Sequence, residues 1–71
     1  MITVNLAQKQ QDAIALLEAQ EGEFTYKFLS KAGIRLKFQV TGDPEAAAAN
    51  AKKIIKAQPW GAALYFNAVA G

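Results

Sequence analysis

The run Ile34-Arg35-Leu36-Lys37-Phe38-Gln39-Val40 alternates without a fault. Ile34, Leu36, Phe38 and Val40 fall on one side, and Arg35, Lys37 and Gln39 on the other. Strand side chains alternate faces, so this spacing predicts a strand with one dry face and one wet face. Such a strand belongs in the middle of a sheet. Its inner face receives helices and its outer face stays polar.

Ahead of it, Ile2-Thr3-Val4-Asn5-Leu6 alternates in the same way and predicts a first strand. From about Ala7 to Glu21 the period changes. Ala13, Ile14 and Leu17 form an apolar stripe at helical spacing, flanked by Leu16, and Gly22 follows where a left-handed residue commonly closes a helix. No Ser, Thr, Asp or Asn sits immediately before Gln8, so the helix has only a weak start signal. Glu23-Phe24-Thr25-Tyr26-Lys27-Phe28-Leu29 alternates again, with Phe24, Tyr26 and Phe28 on one face and Thr25, Lys27 and Leu29 on the other. Ser30-Lys31-Ala32-Gly33 then reads as the connection of an antiparallel hairpin.

Thr41-Gly42-Asp43-Pro44-Glu45 is the strongest punctuation in the chain. Asp43 can cap a helix, and Pro44 suits the first helical position because its missing N–H costs nothing there. The alanine-rich segment that follows predicts a helix to about Gln58, with Ala47, Ala51, Ile54 and Ile55 inward and Ala48 beside them. Lys52, Lys53 and Lys56 lie outward, and Pro59 ends the helix. Ala62 to Ala70 reads as the last strand. Leu64 and Phe66 share one face with Ala62 and Ala68, and Ala63, Tyr65, Asn67 and Val69 share the other.

The order strand, helix, strand, strand, helix, strand implies two interleaved βαβ units. They form a ferredoxin-like α+β domain spanning 1–71, a four-stranded antiparallel sheet in order 4-1-3-2 with both helices on one face. The expected core is Ile2, Val4, Leu6, Ala13, Ile14, Leu17, Phe24, Tyr26, Phe28, Ile34, Leu36, Phe38, Val40, Ala47, Ala51, Ile54, Ile55, Leu64 and Phe66. A chain of 71 residues supports a core of thin margin, so tight packing or an oligomer is expected. The architecture hosts many unrelated activities and by itself transfers none.

The functional inventory is sparse. The chain has no His and no Cys. It therefore lacks the usual general base, thiolate nucleophile and metal ligands, and no enzyme, cofactor or metal is expected; an enzyme using carboxylates and lysines alone is the last-ranked alternative. Ser30 has no histidine partner. Glu18, Glu21 and Glu23 straddle a helix end and a strand start, and make only an unspecific case for a hard cation. No glycine-rich phosphate loop occurs. The absence of cysteine and of an N-terminal basic-then-apolar segment leads to an expectation of a cytoplasmic protein. No apolar run approaches the length that crosses a bilayer, so no membrane partner is expected.

What remains is surface. The open sheet face is expected to show Thr3, Asn5, Thr25, Lys27, Arg35, Lys37, Gln39, Tyr65 and Asn67. Its plain reading is a solvated floor; its sharper reading is a docking face for an acidic protein or a phosphate backbone. Nucleic acid ranks second, because RNA-binding sheets of this architecture stack bases on aromatics and only Tyr65 offers a ring here. Leu29, Ala63 and Val69 have no place in the core and could cluster as a dimer contact, by sheet stacking or edge pairing. Trp60 reads first as a lid on the core and, if exposed, as a binding hot spot. The expectation is a small non-enzymatic interaction or self-association module acting through Lys27, Arg35, Lys37, Gln39, Tyr65, Asn67 and Trp60. Its partner is another protein or a second copy.

Overall fold

The computed structural model describes residues 1–71. Its elements are β1 (Ile2–Leu6), α1 (Gln10–Glu18), β2 (Tyr26–Ala32), β3 (Arg35–Val40), α2 (Pro44–Lys56) and β4 (Phe66–Ala70). The sheet runs β2-β3-β1-β4 and every neighbouring pair is antiparallel. This is the α+β architecture and the strand order that the alternation and crossover rules imply, with β1 and β3 in the centre.

One face of the sheet is dry. Ile2, Val4, Leu6, Tyr26, Leu36 and Phe38 are buried there with Ala13, Ile14 and Leu17 of α1 and Ala47, Ala48, Ala51 and Ile55 of α2. All belong to one cluster, so both helices cover the same face. Burying each Leu-, Ile- or Phe-sized side chain contributes about 1.5–3 kcal/mol. Phe28 meets Phe38 edge-on, with ring centroids 5.7 Å apart. Phe24, Val40, Ile54, Leu64 and Phe66 are half-buried at the margin of the same core.

Local chemistry explains both helices. The Asp43 carboxylate accepts from the Ala46 N–H at 3.0 Å and Pro44 opens the first turn of α2. The small alanine face then lets α2 lie close to the sheet. The Tyr26 hydroxyl consequently reaches the helix backbone, donating to the Ala47 carbonyl at 2.8 Å and accepting from the Asn50 amide at 3.0 Å. The start of α1 is built differently. Lys9 precedes it in a left-handed conformation, φ 61°, with no side-chain cap. The Gln10 amide ties the helix down by donating to the carbonyls of Leu6 at 2.7 Å and Gly33 at 2.9 Å. The helix is shorter than its stripe suggests, because α1 ends at Glu18 rather than near Glu21.

Three expectations about the strands are corrected. β2 is displaced along the chain: it runs Tyr26–Ala32 (7 residues) instead of Glu23–Leu29, and Gly33-Ile34 alone turn the chain instead of Ser30 to Gly33. Gly33 takes φ 60° at the first turn position, the glycine preference of a II′ hairpin. Ile34 therefore is no core residue: it sits at the turn, 52% exposed. Its carbonyl still accepts from the Leu6 N–H at 2.8 Å. Second, the register of β2 slips between Phe28 and Ser30, so Leu29 is a bulge. Beyond it Lys31 stands opposite Leu36 on the helix-covered side, whereas Ser30 and Ala32 join the outer face. Third, β4 begins at Phe66, not Ala62. The Gln58 carbonyl accepts from both Gly61 and Ala62, and the Leu64 N–H reaches back to Gly61. The chain is still turning there and cannot yet enter the sheet.

Candidate functional site

The outer face of the sheet is uncovered. Register sets its rows: Ser30, Lys37, Thr3 and Val69 stand side by side, and Ala32, Arg35, Asn5 and Asn67 form the next row. Lys27 pairs with Gln39 above them. Lys27, Arg35, Lys37, Gln39 and Asn67 are thus brought together and all are exposed. The Asn5 amide donates to the Asn67 side-chain oxygen at 2.6 Å, and the Thr3 hydroxyl donates to the Gly71 carbonyl at 2.6 Å. Between them lies a shallow hollow of about 360 Å³ whose walls include Thr3, Asn5, Arg35, Lys37 and Val69.

Charge is sorted between the layers. The four strands carry Lys27, Lys31, Arg35 and Lys37 and no carboxylate. Every acidic side chain belongs to a helix or a loop. No three carboxylates come together in a group that could hold a metal ion. Glu18 instead binds backbone, its carboxylate accepting from the Phe28 N–H at 3.1 Å.

Two candidates do not join the floor. Trp60 is half-buried against the helix-side core, in the lid position. Tyr65 precedes β4 instead of lying within it. It is fully exposed and borders a separate hollow of about 260 Å³ with Ala7, Gln8, Ala63 and Leu64. Leu29, Ala63 and Val69 do not cluster either. Leu29 is on β2 and Val69 on β4, the two opposite edges of the sheet, and Ala63 lies in the turn.

The backbone at the β4 edge is a feature that side-chain reading missed. The Gly71 N–H donates to the Met1 carbonyl at 2.9 Å, in line with the β1–β4 register. Bonded and non-bonded pairs alternate along an antiparallel ladder. Asn67 and Val69 therefore direct their backbone groups at β1, and Phe66, Ala68 and Ala70 direct theirs outward. No side-chain hydrogen bond of the molecule reaches the backbone of Phe66, Ala68 or Ala70. The signal available beforehand was the composition of Phe-Asn-Ala-Val-Ala: no charge, no proline and no glycine in a strand expected at an edge.

Tyr26 is the buried titratable group. Burial pushes its phenol above the ordinary value, and the hydrogen bond from Asn50 opposes that in part. It serves the fold, since both its partners are on α2. No helix is long and apolar enough to cross a membrane.

Compared with known proteins, the chain matches no family model, no curated sequence and no solved structure.

Proposed function

We propose that this chain is a small, non-enzymatic, cytoplasmic interaction module of ferredoxin-like architecture that binds by strand pairing along β4. The observation that carries this reading is the open row of backbone donors and acceptors on Phe66, Ala68 and Ala70, in a strand with no charge to repel a partner. Val69 and Tyr65, both exposed, stand beside it. The non-enzymatic half rests on the lack of His and Cys and on a serine exposed on the outer face. The test is affinity capture from the source cells with three forms of the chain: wild type, Val69→Lys, and Lys27→Ala/Arg35→Ala/Lys37→Ala. Selective loss of partners with Val69→Lys supports the edge. Identical partner sets from all three forms overturn the reading.

The sorted charge favours a second reading, a single-stranded nucleic acid on the floor. Lys27, Arg35 and Lys37 would contact phosphates, and each neutralised phosphate would steepen the salt dependence. Fluorescence anisotropy with short RNA and DNA over a salt series tests it. Binding that weakens with salt and is lost in the triple alanine variant supports this reading; no binding at low salt ends it.

A further inference from the structure

The β4 edge also indicates what it pairs with. Resting on the module reading above, we infer that the partner strand is β4 of a second copy, joined antiparallel about a two-fold axis at Ala68. In that register Phe66 of each copy stands opposite Ala70 of the other, and Ala68 opposite itself. These are the residues whose backbone groups point outward, so every open N–H on the edge meets a carbonyl. The side chains also fit. On the helix side a large Phe66 meets a small Ala70. On the floor side Asn67 meets Val69, so the exposed Val69 of each copy gains a cross-strand neighbour.

Electrostatics favours a second copy at this edge and opposes one at the other. Joined through β4, the two β3 strands lie five strand spacings apart, about 24 Å. That exceeds the screening length of about 8 Å at physiological salt, so the Arg35 and Lys37 pairs do not repel across the axis. Joined through β2, two copies would bring Lys27 and Lys31 of one against those of the other, and the Leu29 bulge would break the ladder. One strand pairing buries less than the roughly 800 Å² per partner of a standard interface. The dimer is therefore reversible and concentration-dependent, with one sheet and one basic floor running through both copies.

The chain contains no cysteine, so single cysteines report proximity without background. Ala68→Cys is expected to form a cross-linked dimer on mild oxidation, since an on-axis bonded pair has Cα atoms about 5.5 Å apart, within disulfide range. Lys31→Cys, on the opposite edge, is expected to stay monomeric. Sedimentation equilibrium of the cysteine-free chain should show a dimer that Val69→Lys weakens at least about tenfold. Ala70→Pro, which removes an outward N–H and leaves the β1 ladder alone, should weaken it likewise, with circular dichroism confirming that both variants fold. A monomer at millimolar concentration, or equal cross-linking at positions 31 and 68, overturns the inference. A monomer that still loses captured partners with Val69→Lys also overturns it, while leaving the edge-binding module standing.

Discussion

The two edges of the sheet differ in almost every respect that governs strand pairing. β2 is bulged at Leu29, carries Lys27 on its outer face and Lys31 on its helix-covered face, and has its Phe28 N–H taken by Glu18. Each is a known way of blunting an edge. β4 has none of them: Phe66-Asn67-Ala68-Val69-Ala70 is regular and neutral, and its outward backbone groups take no hydrogen bond within the molecule. A sheet that needed only to stay soluble would guard both sides. Guarding one and leaving the other bare is the asymmetry on which the proposed pairing at β4 rests.

The contrast can be broken first at the turn that delivers β4. Gly61 is buried, and a Cβ there would sit 1.8 Å from the Ile55 carbonyl oxygen, a backbone atom that cannot step aside. Gly61→Ala should destabilise the fold by about 3 kcal/mol or more, read by urea denaturation. A loss under about 1 kcal/mol would show that the turn relaxes freely and that β4 is not held where its edge is described.

Next in size is the anchor of the guarded side. Tyr26→Phe removes the hydroxyl that joins β2 to Ala47 and Asn50 of α2, and should cost about 1–2 kcal/mol. The phenol also has a pH signature. Its folded pKa is raised above the ordinary value, so the native state holds the proton more tightly than the unfolded chain does. Its contribution is fully present below about pH 10 and is lost as pH rises through the folded pKa. Denaturation midpoints across that window should fall for wild type and fall less for Tyr26→Phe. Equal slopes would remove Tyr26 from the account.

A smaller change should make the edges more alike. Glu18→Ala leaves the Phe28 N–H to solvent. The expected loss is about 0.5–1 kcal/mol, with faster amide exchange at Phe28. Unchanged exchange would mean that the carboxylate does not guard β2. The smallest effect belongs to the hairpin tip between β2 and β3: Ile34→Ser should alter stability by no more than about 0.5 kcal/mol, because that side chain already faces water. A larger loss would restore Ile34 to the core.

Much of this molecule was legible in its residues. The alternation of β1 and of Leu36-Lys37-Phe38 named the core face and the floor, and Asp43-Pro44 named the start of α2. What misled was parity carried past its physical limits. Ile34 has the right parity for the core but follows Gly33, which takes the turn. Leu29 looked like a spare apolar residue on the outer face, and it is the register slip itself. Tyr65 has the parity of the floor, yet the Gln58–Gly61 turn keeps the chain out of the sheet until Phe66. Lys27, Arg35, Lys37, Gln39 and Asn67 were placed together because each lies within the paired length of its strand. The open edge of β4 escaped because it consists of backbone groups. Their direction depends on which ladder pairs are bonded, and side-chain spacing carries no record of that.

The most direct test compares the edges in one experiment: residue-resolved amide exchange by NMR as protein concentration rises. Phe66, Ala68 and Ala70 should become progressively protected while the amides of β2 stay constant. Concentration-independent exchange at β4, or new protection at β2 instead, would contradict the assignment of β4 as the pairing edge.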